Sequence, residues 1–91
     1  MESAVENPVV ARAESAGYFV RKVSWPGRKG APDRVFSRPD RGTVWIEFKD
    51  DGKEPGTIQQ NEHKRMRAAG MEVHVCDNII DAMRVLWLTS E

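Results

Sequence analysis

Residues 43–49 alternate strictly between apolar side chains and a mixed set of side chains. This segment constrains the fold more than any other part of the chain. One side of the extended segment is apolar and consists of Val44, Ile46 and Phe48. The other side is mixed and consists of Thr43, Trp45, Glu47 and Lys49. Because successive side chains of a strand point to opposite faces of a sheet, the pattern predicts one face on a core and one face free for polar chemistry.

Turn and strand signals predict three more strands around this segment. Residues 39–42 (Pro-Asp-Arg-Gly) form a turn that folds a short strand at 34–37 back onto strand 43–49. Residues 18–23 have strand propensity, and Met71, Val73 and Val75 alternate along a fourth strand. The prediction is therefore a small sheet built around a central hairpin.

Three segments have helical spacing: residues 3–16, residues 57–69 and the residues after Asn78. The first helix begins either with the capping box Ser3-Ala-Val-Glu6 or with Asn7 as N-cap before Pro8. A second capping box, Thr57-Ile-Gln-Gln60, opens the second helix, and Asn78 caps the third. The apolar stripe of the third helix consists of Ile79, Met83, Leu86 and Trp87.

The element order αβββαβα predicts an α/β fold, with a small mixed sheet flanked by helices. The 91 residues suffice for a single domain spanning 1–91. The lone Cys76 cannot form an internal disulfide, and we expect it to be buried. No apolar run approaches the ~20 residues of a membrane span, and no signal peptide is recognisable, which predicts a cytoplasmic protein that is not secreted.

The distribution of charge is more informative than its total. Fourteen basic and fourteen acidic residues cancel, yet residues 21–41 contain seven bases and two acids, or +5. This segment includes the loop Trp25-Pro-Gly-Arg-Lys-Gly-Ala-Pro32. A local basic patch of this kind predicts contact with a polyanion such as nucleic acid, which the net charge of zero conceals.

The central hairpin brings two carboxylates together. If Arg38 pairs with Thr43, Asp33 lies opposite Phe48, whereas a one-residue bulge or an odd loop places it opposite Glu47. Glu47 shares a strand face with Lys49, and paired carboxylates suit a hard cation such as Mg²⁺. The alternative is a purely structural Glu47–Lys49 ion pair with Asp33 as a turn residue.

Several motifs in order resemble a known nuclease pattern. Gly30-Ala-Pro-Asp-Arg34, Trp45-Ile-Glu-Phe-Lys49 and Gln59 on the next helix resemble the PD-(D/E)XK nucleases. With a first-helix glutamate, the basic Pro26-Gly-Arg-Lys-Gly30 and the closing Gly70-Met-Glu-Val-His-Val75, the set resembles the virus-type replication-repair nuclease family, VRR-NUC. The match covers nearly the whole chain and implies a restriction-endonuclease-like fold.

The resemblance implies a role for each matching residue. Asp33 and Glu47 would bind Mg²⁺ or Mn²⁺, with the Phe48 backbone carbonyl completing the coordination. Lys49 would be the catalytic lysine, and Gln59 would contact substrate or orient that lysine. Glu6 matches the glutamate that approaches the metal site in this family, with helix capping as an alternative role. The residues predicted to bind DNA are Arg28, Lys29, Arg34, Lys53 and Lys64.

The remaining aromatic and imidazole groups have less specific roles. Trp25 either stacks on a nucleobase or packs within the protein. His63 and His74 are predicted to be structural, and the two histidines and Cys76 lack the spacing of a zinc site.

Short stand-alone members of the VRR-NUC family imply a specific substrate. They resemble Holliday-junction resolvases that act as homodimers, so the chain is predicted to be a structure-selective DNA endonuclease of viral or mobile-element origin, active in DNA repair. One alternative is a nuclease acting on flapped, nicked or simple duplex DNA. The other is a nucleic-acid-binding module with purely structural carboxylates. No membrane partner and no small-molecule cofactor are expected.

Overall fold

A computed structural model describes residues 2–89 and shows a four-stranded sheet with helices on both faces. In chain order the elements are α1 (Ser3–Ser15), β1 (Phe19–Lys22), β2 (Arg34–Arg38), β3 (Gly42–Phe48), α2 (Thr57–Ala68), β4 (Val73–Cys76) and α3 (Ile79–Val85). The strands lie in the order β1-β2-β3-β4; the first three are antiparallel neighbours and β4 runs parallel to β3. The predicted α/β fold, with its mixed sheet and the order αβββαβα, is therefore confirmed.

The central hairpin adopts the second of the two predicted registers. Arg38 pairs with Gly42 and Arg34 with Ile46, so the loop between the strands has an odd number of residues. Gly42 has a φ of 83°, a left-handed conformation that glycine adopts without strain. Continued by one position, this register places Asp33 opposite Glu47.

An apolar core fills one side of the sheet, under α1 and α3. Val20, Phe36 and Val44 are register partners across three strands, so their side chains share this face. The buried cluster is completed by Val9, Ala13, Tyr18, Ile46, Phe48, Cys76, Ala82, Met83 and Leu86. Cys76 is buried, as expected, and burial raises the pKa of its thiol to about 12.

The opposite face of the sheet is covered by α2, which contacts β4. The buried residues of this helix are Glu62, His63 and Met66, two of them polar. The basic loop between β1 and β2 packs on the same helix at Gly30, where a Cβ atom would lie only 2.8 Å from the Cβ of Glu62. No helix within residues 2–89 has the length and apolar character needed to cross a bilayer.

The first two helices begin at Ser3 and Thr57, as predicted, but their N-terminal caps differ from the prediction. α1 begins at Ser3 and runs through Pro8, and no side chain within residues 2–89 caps its N-terminus. The proposed start at Asn7 is therefore wrong. The capping role of Glu6 is also wrong, because its carboxylate accepts a hydrogen bond from Arg34 instead. Gly56 is the N-cap of α2, and the Gln60 amide donates to the Pro55 carbonyl at 2.6 Å, so the second capping box does not form.

The last helix begins as predicted and ends earlier. The Asn78 side chain accepts a hydrogen bond from the Asp81 amide at 2.9 Å, which confirms the N-cap. The helix ends at Val85, and Trp87 lies beyond it with a φ of 59° and a side chain that is 57% exposed. Trp87 is therefore not part of the helical apolar stripe; its ring instead stacks against the Arg41 guanidinium, 4.7 Å from the ring centre.

Candidate active site

Glu47 occupies the centre of the polar face of the sheet. The residue is 1% exposed, because α2 lies across it. The Gln59 side-chain amide of α2 donates to Glu47 Oε2 at 2.8 Å, and the Lys49 ammonium lies 3.6 Å from the same oxygen. The structure thus brings together three of the residues selected from the sequence, and two of them hold one carboxylate oxygen.

The second oxygen of Glu47 has a different environment. Glu47 Oε1 is buried and has no hydrogen-bond partner among residues 2–89. Burial and, after it, the charge of Asp33 raise the pKa of Glu47 to about 7, although Gln59 and Lys49 act in the opposite direction. A buried carboxylate oxygen without a partner is costly unless a cation or a donor binds it.

Asp33 stands at the entrance to β2 and faces the end of β3. Its Oδ2 accepts a hydrogen bond from the Phe48 backbone amide at 2.8 Å. Its own carbonyl accepts from the Val23 amide at 3.0 Å, so both ends of the residue are fixed. Burial raises the pKa of Asp33 despite the Phe48 hydrogen bond, and the nearby charge of Glu6 raises it further.

Glu6 is held on the other side of the sheet by an arginine. Its Oε2 accepts from the Arg34 Nε at 2.7 Å, and both side chains are mostly buried. Arg34 was predicted to bind DNA and Glu6 to approach the metal; the structure joins them to each other beside Asp33. Their roles toward DNA and metal stay predictions.

Asp33 and Glu47 together fit a hard divalent cation. Both offer carboxylate oxygens, the ligands that Mg²⁺ and Mn²⁺ prefer, and Glu47 Oε1 lacks any other partner in the described chain. Residues 2–89 contain no group of three or more histidine, cysteine, aspartate or glutamate side chains arranged around one point. Asp33 and Glu47 would be two of the ligands of a Mg²⁺ ion, which usually keeps several waters as well. The predicted Phe48 carbonyl ligand stays a prediction.

The predicted DNA-binding residues lie in three places. Arg28 and Lys29 are exposed on the basic loop, where Arg28 forms an ion pair with Glu62 of α2 at 3.3 Å. Lys53 and Lys64 are exposed beside an open pocket next to α2. Arg34 is turned toward Glu6, as described above.

Glu62 is an organising residue that the sequence did not reveal. Its carboxylate joins the basic loop to α2, since Oε1 accepts from Arg28 and also from Arg65 at 3.0 Å. The three-residue spacing to Arg65 was the available signal, but it predicts only a surface pair. The contact with Arg28 depends on the loop and could not be read from spacing.

Trp25 packs within the protein, which is one of the two roles predicted for it from the sequence. Its ring lies 6.0 Å from that of Trp45, which shares a strand face with Glu47. The indole is half-buried, and its Nε1 has no hydrogen-bond partner in the described part of the chain. The tryptophan pair forms an aromatic wall on the same face as the carboxylates.

Comparisons with known proteins agree with this geometry. No protein-family model matches the chain. A protein from Acyrthosiphon pisum secondary endosymbiont phage 1, named "Putative nuclease p44", is 34% identical over 77 residues, which cover 85% of this chain and 83% of that protein. A solved structure described as a VRR_NUC domain superposes with a TM-score of 0.84 at 33% identity and covers 98% of this chain and 97% of its own. With this fold and these relatives, the chain belongs to the VRR-NUC family of nucleases.

Proposed function

We propose that this nuclease is a divalent-metal-dependent endonuclease that cuts DNA, with Asp33 and Glu47 as the metal-binding pair. The observation that carries the proposal is the buried Glu47 carboxylate. One of its oxygens is held by Gln59 near Lys49, and the other has no partner within residues 2–89. Opposite it in the hairpin stands Asp33, fixed by the Phe48 amide.

Each residue has a distinct task in this mechanism. A bound Mg²⁺ or Mn²⁺ would supply Lewis acidity that activates water and offsets the charge of the phosphodiester. Asp33 and Glu47 would hold that cation, and Gln59 fixes the orientation of Glu47 by its hydrogen bond at 2.8 Å. Lys49 places a positive charge where negative charge develops during attack on phosphorus. α2 excludes water from behind the carboxylate.

The proposed substrate is a four-way DNA junction, cut by a homodimer. A junction has near two-fold symmetry and requires paired cuts, which two copies of one active site supply. The basic loop supports binding to closely spaced phosphates, since Arg28 and Lys29 are exposed on it. We further propose that Arg28 and Lys29 contact the DNA backbone, which would make binding depend strongly on salt.

Cleavage assays test the chemistry. Four-way junction, flapped, nicked and plain duplex DNA are incubated with the protein in Mg²⁺, in Mn²⁺ and in EDTA. We expect cutting in either metal, none in EDTA, and a preference for the junction. Glu47→Gln and Lys49→Ala should each lower cutting by about 10³-fold, while Arg84→Ala, an exposed cation on α3, should retain it.

The alternatives predict different results. Equal cutting of junction and duplex would contradict the proposed selectivity and favour a general DNA nuclease. Salt-sensitive binding without cutting in any metal would favour a binding module with structural carboxylates. Sedimentation at the assay concentration tests the dimer, and a monomer that still makes paired cuts would overturn the homodimer.

A further inference from the structure

An open pocket of about 450 Å³ lies beside α2, outside the carboxylate centre. Its lining includes three cationic side chains and one imidazole: Lys53, Lys64, Arg67 and His63. Val75 of β4 forms part of its apolar surface. The volume is ample for a single phosphate group with its water.

His63 is the unusual member of this lining. The residue is 1% exposed, and its Nε2 is buried with no hydrogen-bond partner within the described chain. Burial and then the charge of Arg67 lower the pKa of the imidazole, and the Lys49 ammonium lowers it further. A neutral imidazole retains one N–H, which can donate to an anion.

Arg67 is already positioned for such a ligand. Its Nε and one terminal nitrogen donate to the Val73 carbonyl, the latter at 2.9 Å. These two hydrogen bonds fix the planar guanidinium at the pocket wall. The other terminal nitrogen of Arg67 takes no part in them. Guanidinium groups fixed in this manner bind phosphate oxygens with little further loss of side-chain entropy.

The pocket adjoins the carboxylate centre through both α2 and the sheet. Gln59, His63 and Arg67 are four residues apart and so lie along one side of the helix. Gln59 holds Glu47, which puts His63 about one turn away, roughly 6 Å along the axis. Val75 is the register partner of Glu47 in the neighbouring strand.

The two acidic residues at the pocket do not reverse its character. Both oxygens of Asp77 accept hydrogen bonds, from the Gly52 amide at 2.9 Å and from the Asn78 side chain at 2.8 Å. Glu54 is exposed to solvent. Three cations face one engaged and one solvated carboxylate, so the pocket favours an anion.

We propose that this pocket binds a phosphate group of the nucleic-acid strand, with His63, Arg67, Lys53 and Lys64 as its ligands. The role in DNA cleavage rests on the function proposed above, but phosphate binding itself does not. The pocket would hold the strand about one turn of α2 from the bond that is cut. It would thereby fix which phosphodiester of the DNA backbone lies over Glu47.

Phosphate binding is tested on the whole, ¹⁵N-labelled chain without divalent metal. Inorganic phosphate is titrated in while the His63 imidazole and the α2 amides are followed by NMR. We expect saturable shifts at His63, and about fivefold weaker binding in the Lys53→Ala/Lys64→Ala double variant, whose exposed side chains can be lost without unfolding. Arg84→Ala, an exposed cation on the opposite side of the sheet, should bind phosphate like the unmodified chain.

Two further variants separate a ligand role for His63 from a packing role. His63→Gln retains an N–H donor near the position of Nε2 and should preserve binding, whereas His63→Leu should lose it. Shifts that do not saturate, or equal affinity in the double lysine variant and the unmodified chain, would overturn the site. If cutting fails in the unmodified chain but phosphate binds as described, only the proposed function falls.

Competition identifies the source of the phosphate. A single-stranded oligonucleotide is added to the phosphate-saturated protein, with or without a 5′-phosphate. Displacement by both forms supports an internal phosphodiester of the strand, and displacement by the phosphorylated form alone supports a terminal phosphate. If neither form displaces inorganic phosphate, the assignment to nucleic acid is overturned.

Discussion

The two faces of the sheet differ in what they bury. Under α1 and α3 the fully buried groups are apolar, and the polar groups there have partners: the Tyr18 phenol donates to the Leu86 carbonyl at 2.6 Å, and Arg34 pairs with Glu6. Under α2 and the basic loop the buried groups include Glu47, Glu62 and His63. On this second face, Glu47 Oε1, His63 Nε2 and the nearby Trp25 Nε1 have no hydrogen-bond partner in the described part of the chain.

The difference separates stability from chemistry. A satisfied apolar face supplies the favourable free energy of folding in a small domain, where burial is limited. Buried polar atoms without partners oppose folding, and folds retain such atoms where function requires them. One sheet thus serves both purposes because alternate residues of β3 face opposite layers. Substitutions on the apolar face should therefore lower stability and spare activity, and substitutions on the polar face should lower activity and spare stability.

Phe36→Ala should have the largest effect, and it should act on stability. Phe36 is fully buried at the centre of the apolar face, in edge-to-face contact with Phe48 at 6.4 Å. Loss of its ring leaves a cavity and should lower the free energy of unfolding by about 3–5 kcal/mol, measured by urea denaturation. Cleavage per folded molecule should persist at low temperature; loss of cutting in a fully folded variant would break the separation of the two faces.

Glu47→Gln should have the opposite signature, with activity lost and stability kept. Removal of a carboxylate that we propose as a metal ligand should lower cleavage by about 10³-fold. The free energy of unfolding should stay within about 1 kcal/mol or rise, because the substitution removes a buried charge beside Asp33. Chemical denaturation of the metal-free protein measures this, and a large destabilisation would show that Glu47 supports the fold.

Much of the carboxylate centre could be predicted from the sequence because it depends on local pairing. The turn at 39–42 and the alternation in β3 place Asp33 within one residue of Glu47 in either of the two predicted registers of the hairpin. Choosing between the two registers required the conformation of Gly42, which sets the loop length. The Glu47–Lys49 contact followed directly from strand period.

Features that depend on distant partners were not predictable from local patterns. Glu6 had a fitting position for a cap but binds Arg34, 28 residues away. Gln60 likewise binds the Pro55 carbonyl because Gly56 takes the N-cap position. The pocket at His63 depends on α2 packing against β4, and spacing along the helix alone cannot show which side is buried.

Gly30→Ala should have an intermediate effect and should couple the basic loop to the carboxylate centre. Gly30 has a φ of 102°, and an added Cβ would lie 2.8 Å from the Cβ of Glu62. The loop must move away from α2, at a cost of about 1–3 kcal/mol, and Asp33 follows three residues later. Cleavage should fall as well as stability.

Gly27→Ala is the matched control for this substitution. Gly27 also has a positive φ, of 69°, but its added Cβ would meet no described atom within 4 Å. The Gly27→Ala variant should be destabilised only by backbone strain, and it should keep its cutting rate. If both variants lose activity equally, contact with α2 is not what positions the loop.

The smallest expected effect is on stability at low pH, and it concerns the ion pair between Arg41 and Glu72. Hydrogen bonds from Arg41, the larger cause, and from His74 lower the pKa of Glu72 to about 2 from 4.5. A depressed carboxylate pKa stabilises the fold above the unfolded value, so this contribution should be lost as pH falls from about 4.5 to 2. Because the Glu72 side chain is 41% exposed, solvent screening limits the contribution to below about 1 kcal/mol. Glu72→Gln should flatten the acid limb of stability against pH, whereas Glu14→Gln, an exposed position on α1, should leave it unchanged; identical acid limbs for both would show that the Arg41–Glu72 pair contributes nothing to folding.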